Sequence, residues 1–304
     1  MIPARPLSYD EFPSSPLGCE GMVVLPADLD NVTAHLMEPI VYVNRDGLDL
    51  TLRLILPVPH GGGGPWPVIV YVQGSAWMKQ QVEANIPTLS AFARKGYAVA
   101  MVEYRPSSVA LFPAQVQDTK TAIRFLRKNA AKYNLDPERM VLWGDSSGGH
   151  TVVMTAVTAH LPEMDTDTYG EYSCRVRGVV DFYGPTDIAS MNEEPSTQDH
   201  DEPDSPEGRL IGRLRVRENR KLADRTSPMA YINPDRPLPP FLIVHGSKDR
   251  LVPFGQSIKL YQKLRACGVE ADFYRVEGGD HGGPAFWNRL VLELTEGYLK
   301  KWLQ

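Results

Sequence analysis

The chain has 304 residues, of which 42% are hydrophobic and 23% are charged, a composition typical of a globular protein. There are 32 Lys and Arg residues against 37 Asp and Glu residues. The resulting net charge of −5 gives no bulk attraction to nucleic acid or to an anionic membrane. The three cysteines lack metal-ligand or disulfide spacing. No apolar run approaches the roughly 20 residues of a membrane-spanning helix.

The N-terminal part of the sequence predicts an irregular extension followed by a hairpin. Residues 1–38 are rich in proline, and we expect them to wrap the surface. No signal peptide is visible there, so we expect a cytoplasmic protein, with a secreted form that has lost its signal as the alternative. Two β-like runs, residues 39–44 and 48–56, flank Arg45-Asp46-Gly47. Asp-Gly between alternating apolar residues is a hairpin signal.

From residue 68 onward, short apolar runs alternate with helical patterns. The predicted strands are 68–72, 98–102, 140–143, 176–183, 241–245 and 271–276, and the predicted helices are 86–95, 114–133, 147–160, 256–266 and 286–303. This alternation indicates an α/β fold with a mostly parallel sheet and helices on both faces. Residues 186–225 interrupt the rhythm, and we interpret them as a small cap insertion in a single domain of residues 1–304.

The sharpest motif is Gly144-Asp145-Ser146-Ser147-Gly148, which follows a predicted strand and opens a predicted helix. In that setting, G-x-S-x-G is the nucleophile elbow of the α/β-hydrolase fold. The tight turn exposes the serine hydroxyl at a helix N-terminus, where negative charge is favoured. Ser146 is therefore the candidate nucleophile. We expect Asp145 to have a structural, hydrogen-bonding role.

A serine nucleophile needs a base, and the chain order in this fold is Ser, then Asp or Glu, then His. His281 lies in a glycine-flanked loop after the strand predicted at 271–276. Asp249 follows the strand predicted at 241–245, where its carboxylate can orient the imidazole and stabilise the imidazolium. Asp280 is the nearest competitor, but adjacent residues rarely point their side chains at each other suitably.

The oxyanion of the reaction needs two backbone N–H donors, one from the residue after the nucleophile and one from the loop after the third strand. The first donor is Ser147. That loop reads QGSAW, and its small residues let the backbone approach a substrate carbonyl. Ser75 and Ala76 are both candidates for the second donor. Gly74 and Trp77 are candidates for the substrate pocket, with burial in the core as an equal alternative for Trp77.

Several motifs together resemble those of the BD-FAE-like carbohydrate esterases, relatives of the hormone-sensitive lipase group. They are QGSAW, GDSSGGH, HGSKD around Asp249, DHG around His281, and residues 103–105, 181–187 and 205–211, and the resemblance covers about residues 39–304. It implies release of acetyl groups from decorated plant polysaccharide fragments such as xylan, sometimes with feruloyl ester cleavage. Gln73 stands where the wider lipase group often has histidine, so lipase specificity is not carried over.

The combined expectation is ping-pong acyl transfer on a small-molecule or oligosaccharide ester, with no metal or organic cofactor. A peptidase or amidase and an arylformamidase would use the same triad, and both stay open. The polar, charged segment 186–225 argues against a lipase for large esters. A non-catalytic binding protein of this fold is the alternative from another class, and the presence of all three triad candidates argues against it. Assembly into a homo-oligomer is left open.

Overall fold

The computed structural model describes residues 4–304, and a nine-stranded sheet organises this part of the chain. The strands are Thr33–Leu36 (β1), Ile40–Arg45 (β2), Leu48–Val58 (β3), Trp66–Val72 (β4), Ala98–Val102 (β5), Leu135–Asp145 (β6), Val179–Phe182 (β7), Phe241–Gly246 (β8) and Ala271–Val276 (β9). Their order is β1-β3-β5-β4-β6-β7-β8-β9, and β2 also pairs with β3. All pairs that involve β3 are antiparallel. The others are parallel, which confirms the predicted mostly parallel sheet.

Seven α-helices accompany the sheet in residues 4–304. They are Ile86–Ala93 (α1), Ala114–Lys128 (α2), Ser147–Val157 (α3), Pro206–Leu210 (α4), Arg220–Thr226 (α5), Gly255–Ala266 (α6) and Arg289–Leu303 (α7). Short 3-10 turns occur at Val82–Asn85, Pro162–Met164, Ile188–Glu193, Arg217–Asn219, Pro228–Ala230 and Gly283–Ala285. Within this part of the chain, no helix has the length and apolar character that a membrane span requires.

Alternate residues of β4 point to opposite faces of the sheet, as the two-residue period of a strand requires. Val68, Val70 and Val72 belong to an apolar cluster with residues of α2, α3 and α6. Ile69 and Tyr71 belong to another cluster with residues of α1 and α7. Helices therefore cover both faces, and this is why the central strands are continuous apolar runs in the sequence.

The predicted hairpin is confirmed, with β2 and β3 joined through Asp46 and Gly47. Both residues have positive φ, 51° and 87°, the backbone that a two-residue turn of type I′ needs. The expectation for residues 1–38 is wrong in one respect, because β1 lies within them and pairs with the C-terminal end of β3. All four residues of β1 are exposed, so its sequence carries no apolar alternation that would reveal a strand.

The last helix begins at Arg289 rather than at residue 286. The side chain of Asn288 accepts a hydrogen bond from the Val291 backbone N–H at 3.1 Å and so caps the helix. The preceding residues Gly283–Ala285 form a 3-10 turn instead. Asn is a favoured N-cap residue, but the apolar Phe286 ahead of Asn288 extends the helical pattern backwards.

Residues 186–225, here named the cap segment, contain α4, most of α5 and two 3-10 turns. Their apolar side chains form a small cluster of their own together with Trp77 from the loop after β4 and Val252 from the loop after β8. The cap segment is thus packed against loops at the carboxyl ends of the strands. That contact positions it beside the residues described next.

Candidate active site

The candidate residues converge at one edge of the sheet, where the parallel strands end. Ser146 follows β6, Asp249 follows β8 and His281 follows β9. The loop of residues 73–77 follows β4 at the same edge. Ligands of open α/β sheets bind in the crevice outside the carboxyl ends of the strands, so this edge is where a site is expected.

The turn between β6 and α3 holds Ser146 in a strained backbone conformation, with φ 53° and ψ −128°. Such backbone strain in a non-glycine residue is concentrated at functional sites. The turn depends on neighbouring glycines. A Cβ at Gly148 would overlap the carbonyl oxygen of Val72, and a Cβ at Gly144 would overlap the carbonyl of Gly148. The small residues of the motif are therefore required by close backbone approach.

The structure brings Ser146, His281 and Asp249 into one hydrogen-bonded line. Nε2 of His281 lies 2.8 Å from Oγ of Ser146. Nδ1 of the same ring lies 2.7 Å from Oδ2 of Asp249. Because Nδ1 faces a carboxylate, it carries the proton, and the lone pair of Nε2 then faces the serine hydroxyl. This is the tautomer that can accept the serine proton.

The carboxylate of Asp249 is fixed by other contacts besides the one to His281. Its Oδ1 accepts the backbone N–H groups of Leu251 and Val252, both at 2.9 Å. Its Oδ2 lies 3.1 Å from Nε2 of His245, a histidine that the sequence analysis did not single out. Burial alone would raise the pKa of Asp249, but the hydrogen bonds from His245 and His281 outweigh it and hold the pKa well below its ordinary value. Asp249 is therefore ionised throughout the neutral range.

His245 could have been found from its position four residues before Asp249 in the HGSKD motif. It is fully buried at the end of β8, and its Nδ1 lies 2.7 Å from Oγ of Ser257.

Asp280, the competing candidate for the acid, does not approach the imidazole of His281. The carboxylate of Asp280 instead accepts hydrogen bonds from the backbone and side chain of Arg250, at 3.1 and 2.7 Å.

Of the three predicted oxyanion donors, Ser75 differs from the other two in that its N–H group already has an acceptor. The N–H of Ser75 donates to Oγ of Ser147 at 2.9 Å and is therefore engaged. Within residues 4–304 the N–H groups of Ala76 and Ser147 have no acceptor. Ala76 has a positive φ of 55°, which turns the loop next to Ser146. Ser147 opens α3, where the first amides have no partner within the helix.

Gly74 lies directly against the elbow. A Cβ there would come within 2.6 Å of the Asp145 carbonyl oxygen and 2.7 Å of the Ser146 Cβ. The Gly74 N–H donates to Oδ1 of Asp145 at 3.1 Å, and Tyr71 donates its hydroxyl to the same oxygen at 2.5 Å. Asp145 thus fastens the loop after β4 to the elbow, which keeps the amide of Ala76 close to Ser146.

Trp77 is buried and also forms a wall of the site. Its indole N–H donates to Nδ1 of His150 at 3.1 Å, and Nε2 of His150 lies 2.8 Å from the carbonyl oxygen of Thr226 in α5. Burial lowers the pKa of His150 to about 4, so the ring is neutral and can accept at one nitrogen while donating at the other. This chain of contacts ties the loop after β4 to α3 and to the cap segment.

Two cavities meet at Ser146, and Ala76 and His281 line both. One is a small pocket of about 70 Å³ under the cap segment, here named the inner pocket. Its further lining includes Trp77, Pro185, Gln198, His200, Glu207 and Val252. The other is a more open cleft of about 360 Å³, whose further lining includes Gln73, Gly74, Asn85, Tyr183, Gly282 and Trp287. Ser146 therefore stands between a confined space and an open one.

Comparison with known proteins assigns the class. The chain resembles the esterase LipC of Mycobacterium tuberculosis, with 27% identity over 220 residues, 72% of this chain and 53% of LipC. A truncated carbohydrate esterase from gut microbiota superposes with a TM-score of 0.77 at 30% identity, covering 91% of this chain and 98% of that one. A bifunctional GH43-CE protein of Bacteroides eggerthii has a TM-score of 0.79 at 32% identity, covering 88% of this chain and 38% of that one.

The fold and these relatives define the class as the α/β-hydrolases, and the relatives themselves are named as esterases. Within that class the chain belongs to the BD-FAE family, which it matches over residues 54–264. This confirms the resemblance that the motifs indicated. The chain spans about half the length of the curated relatives it matches, 53% of LipC for example.

Proposed function

We propose that this chain is a serine esterase that removes short acyl groups, acetyl above all, from carbohydrate esters such as acetylated xylooligosaccharides. The observation that carries the proposal is the line of hydrogen bonds from Asp249 through His281 to Ser146, which ends at the mouth of the inner pocket. A hydroxyl, a base and an orienting carboxylate in this order are the parts that acyl transfer through a covalent intermediate requires.

The first half of the reaction forms an acyl-enzyme. Oγ of Ser146 adds to the ester carbonyl carbon while Nε2 of His281 takes the hydroxyl proton. The oxyanion forms next to the backbone N–H groups of Ala76 and Ser147, and each such donor is worth about 3–4 kcal/mol to the barrier. The tetrahedral intermediate then collapses, the ester bond breaks, and Nε2 of His281 gives its proton to the departing alkoxide.

The second half returns the enzyme to its starting state. A water molecule gives a proton to Nε2 of His281 as its oxygen adds to the acyl carbon. Collapse of that intermediate breaks the bond to Oγ of Ser146, which recovers the proton from the imidazole. Throughout, Asp249 stays ionised and stabilises the imidazolium, as its lowered pKa allows.

The sizes of the two cavities favour a short acyl group in the inner pocket. A cavity of about 150 Å³ holds a benzene ring, and the inner pocket has about 70 Å³. An acetyl group fits such a space, whereas the aromatic ring of a feruloyl group or the ring of a sugar does not. The alcohol part of the ester is then left to the open cleft of about 360 Å³.

The lining of the open cleft suits a sugar. The amide side chains of Gln73 and Asn85 offer hydrogen-bonding groups beside the partly buried ring of Trp287. A few polar groups beside an aromatic surface are typical of small-molecule sites. The carbohydrate esterase from gut microbiota and the GH43-CE protein of Bacteroides eggerthii, both similar to this chain at 30% identity or more, support the same substrate class.

A substrate screen tests the proposal. Acetylated xylooligosaccharides, methyl ferulate and a peptide anilide are compared at equal concentration, with the Ser146→Ala variant as the control for each. We expect acetate release to be fastest and to disappear in the variant. Faster cleavage of the ferulate would replace acetyl by feruloyl specificity, and faster cleavage of the anilide would favour a peptidase or amidase.

A further inference from the structure

A third cavity lies in the cap segment, and it does not reach Ser146. It has about 350 Å³, and it is lined by Ile188, Ala189, Asn192, Glu193, His200, Asp201, Val216 and Arg217. We name it the outer cavity. Only one residue, His200, lines both this cavity and the inner pocket among the residues that the structure describes. Its imidazole therefore stands at the boundary between the two spaces.

The side chain of His200 is held firmly at that boundary. It is 2% exposed, and its Nε2 lies 3.0 Å from Oγ of Ser196. That hydroxyl in turn donates to the carbonyl oxygen of Leu251 at 3.0 Å, in the loop after β8. The backbone N–H of His200 donates to Oδ1 of Asn192 at 2.9 Å. With its ring bonded at Nε2 and its backbone bonded at the N–H, this buried residue acts as a wall rather than as a mobile side chain.

Glu207 reinforces the same wall. Its Oε2 lies 3.1 Å from Nδ1 of His200, and both side chains are buried. Neither Nδ1 of His200 nor Oε2 of Glu207 has a hydrogen-bond partner among residues 4–304, so the close approach of these two buried atoms is the polar contact that the structure gives them. The pair presents polar groups at one end of the inner pocket. Contact with these groups does not stabilise a longer apolar acyl chain.

We infer that His200 determines the acyl-chain length that this esterase accepts, because it separates the inner pocket from the outer cavity. The inference rests on the proposed function, since it takes the inner pocket to be the acyl site. Ile188, Ala189 and Val216 are the apolar part of the lining of the outer cavity. Removal of the ring joins about 70 Å³ to about 350 Å³ and gives a longer acyl chain a continuous path from Ser146.

The test compares kcat/KM on p-nitrophenyl acetate, butyrate and octanoate. In the wild type we expect a steep fall from acetate to octanoate. In His200→Ala we expect the octanoate-to-acetate ratio to rise roughly tenfold or more, as pocket changes of a few methylene groups do. His35→Ala, the same substitution at an exposed histidine in β1, is the matched control and should keep the wild-type ratio.

A second pair of variants makes the path itself testable. The single variant His200→Ala leaves the Glu207 carboxylate without its partner. Adding Glu207→Gln removes that carboxylate and should raise the octanoate-to-acetate ratio further. Ala189→Leu added to His200→Ala places a larger side chain in the lining of the outer cavity and should restore the preference for acetate. Ala189 lines the outer cavity but not the inner pocket.

The outcomes distinguish this inference from the proposed function. If the wild-type protein hydrolyses none of the esters, both the proposed function and the inference are overturned. Serine-dependent hydrolysis with a flat profile from acetate to octanoate would overturn the inference alone, without any substitution at 200. An unchanged ratio in a folded His200→Ala protein would overturn it as well, and in either case the esterase assignment would stand.

Discussion

Nδ1 of His281 lies 2.7 Å from Oδ2 of Asp249, although the acidic residue next to it in the sequence is Asp280. The carboxylate of Asp280 is directed to Arg250 instead. The imidazole is thus oriented by a residue 32 positions away in the chain. Asp280, which is adjacent to His281 in the sequence, is therefore a control for the test of Asp249 as the acid of the proposed triad.

Replacement of Asp249 by Asn should lower kcat on p-nitrophenyl acetate by about 10⁴-fold while the protein stays folded, because an amide favours the wrong tautomer of the imidazole. Circular dichroism checks the fold of the variant. Asp280→Asn should retain activity near the wild-type level, since that side chain contacts Arg250. Equal losses in the two variants would argue against Asp249 as the orienting residue.

Two glycine substitutions should have effects of opposite sign on stability. Gly148→Ala places a Cβ against the carbonyl oxygen of Val72 and should destabilise the elbow and abolish activity. Gly297→Ala lies on an exposed part of α7 with nothing within 4 Å of the new Cβ. It should stabilise the protein by about 0.5–1 kcal/mol, the usual gain of Ala over Gly in a helix. Urea unfolding of both variants measures the difference, and a neutral Gly148→Ala would contradict the close approach.

The buried carboxyl of Asp181 should make stability depend on pH. Burial raises its pKa to about 7, although a hydrogen bond from the Gly184 N–H partly opposes this. In the unfolded chain the same group titrates near pH 4. Between about pH 4 and pH 7 the folded state therefore binds more protons than the unfolded state. Its free energy of unfolding falls as the pH rises through this range.

The variant Asp181→Asn cannot ionise and should escape this loss. We expect its free energy of unfolding, relative to that of the wild type, to increase by a few kcal/mol from pH 4.5 to pH 8. Urea unfolding of both proteins at several pH values gives the comparison. A constant difference across that range would mean that Asp181 is ionised in the folded protein.

The elbow and the convergence of the candidate triad could be predicted because their requirements are local. A serine between glycines after a buried strand, and an acid and a histidine each directly after later strands, are patterns that neighbouring residues carry. The parallel order of the strands then brings Ser146, Asp249 and His281 to one edge. The central strands were predictable for a similar reason, since burial on both faces produces continuous apolar runs.

Other features depend on contacts that no local pattern encodes. The amide of Ser75 is occupied by the hydroxyl of Ser147, 72 residues away, so the sequence could not separate it from Ala76. The contact between His245 and Asp249 depends on how the loop after β8 turns back. His200 lies in a charged segment that reads as a solvated insertion, yet the imidazole is buried between two cavities.

The most direct test of the central claim is the site of labelling by a fluorophosphonate, which reacts with an activated serine. The account predicts one modified residue, Ser146, identified by mass spectrometry of the digested protein. Labelling should be absent in Ser146→Ala and much slower in His281→Ala, because the hydroxyl then lacks its base. Labelling at another residue, or an undiminished rate in His281→Ala, would contradict the claim that these two side chains form the nucleophile and its base.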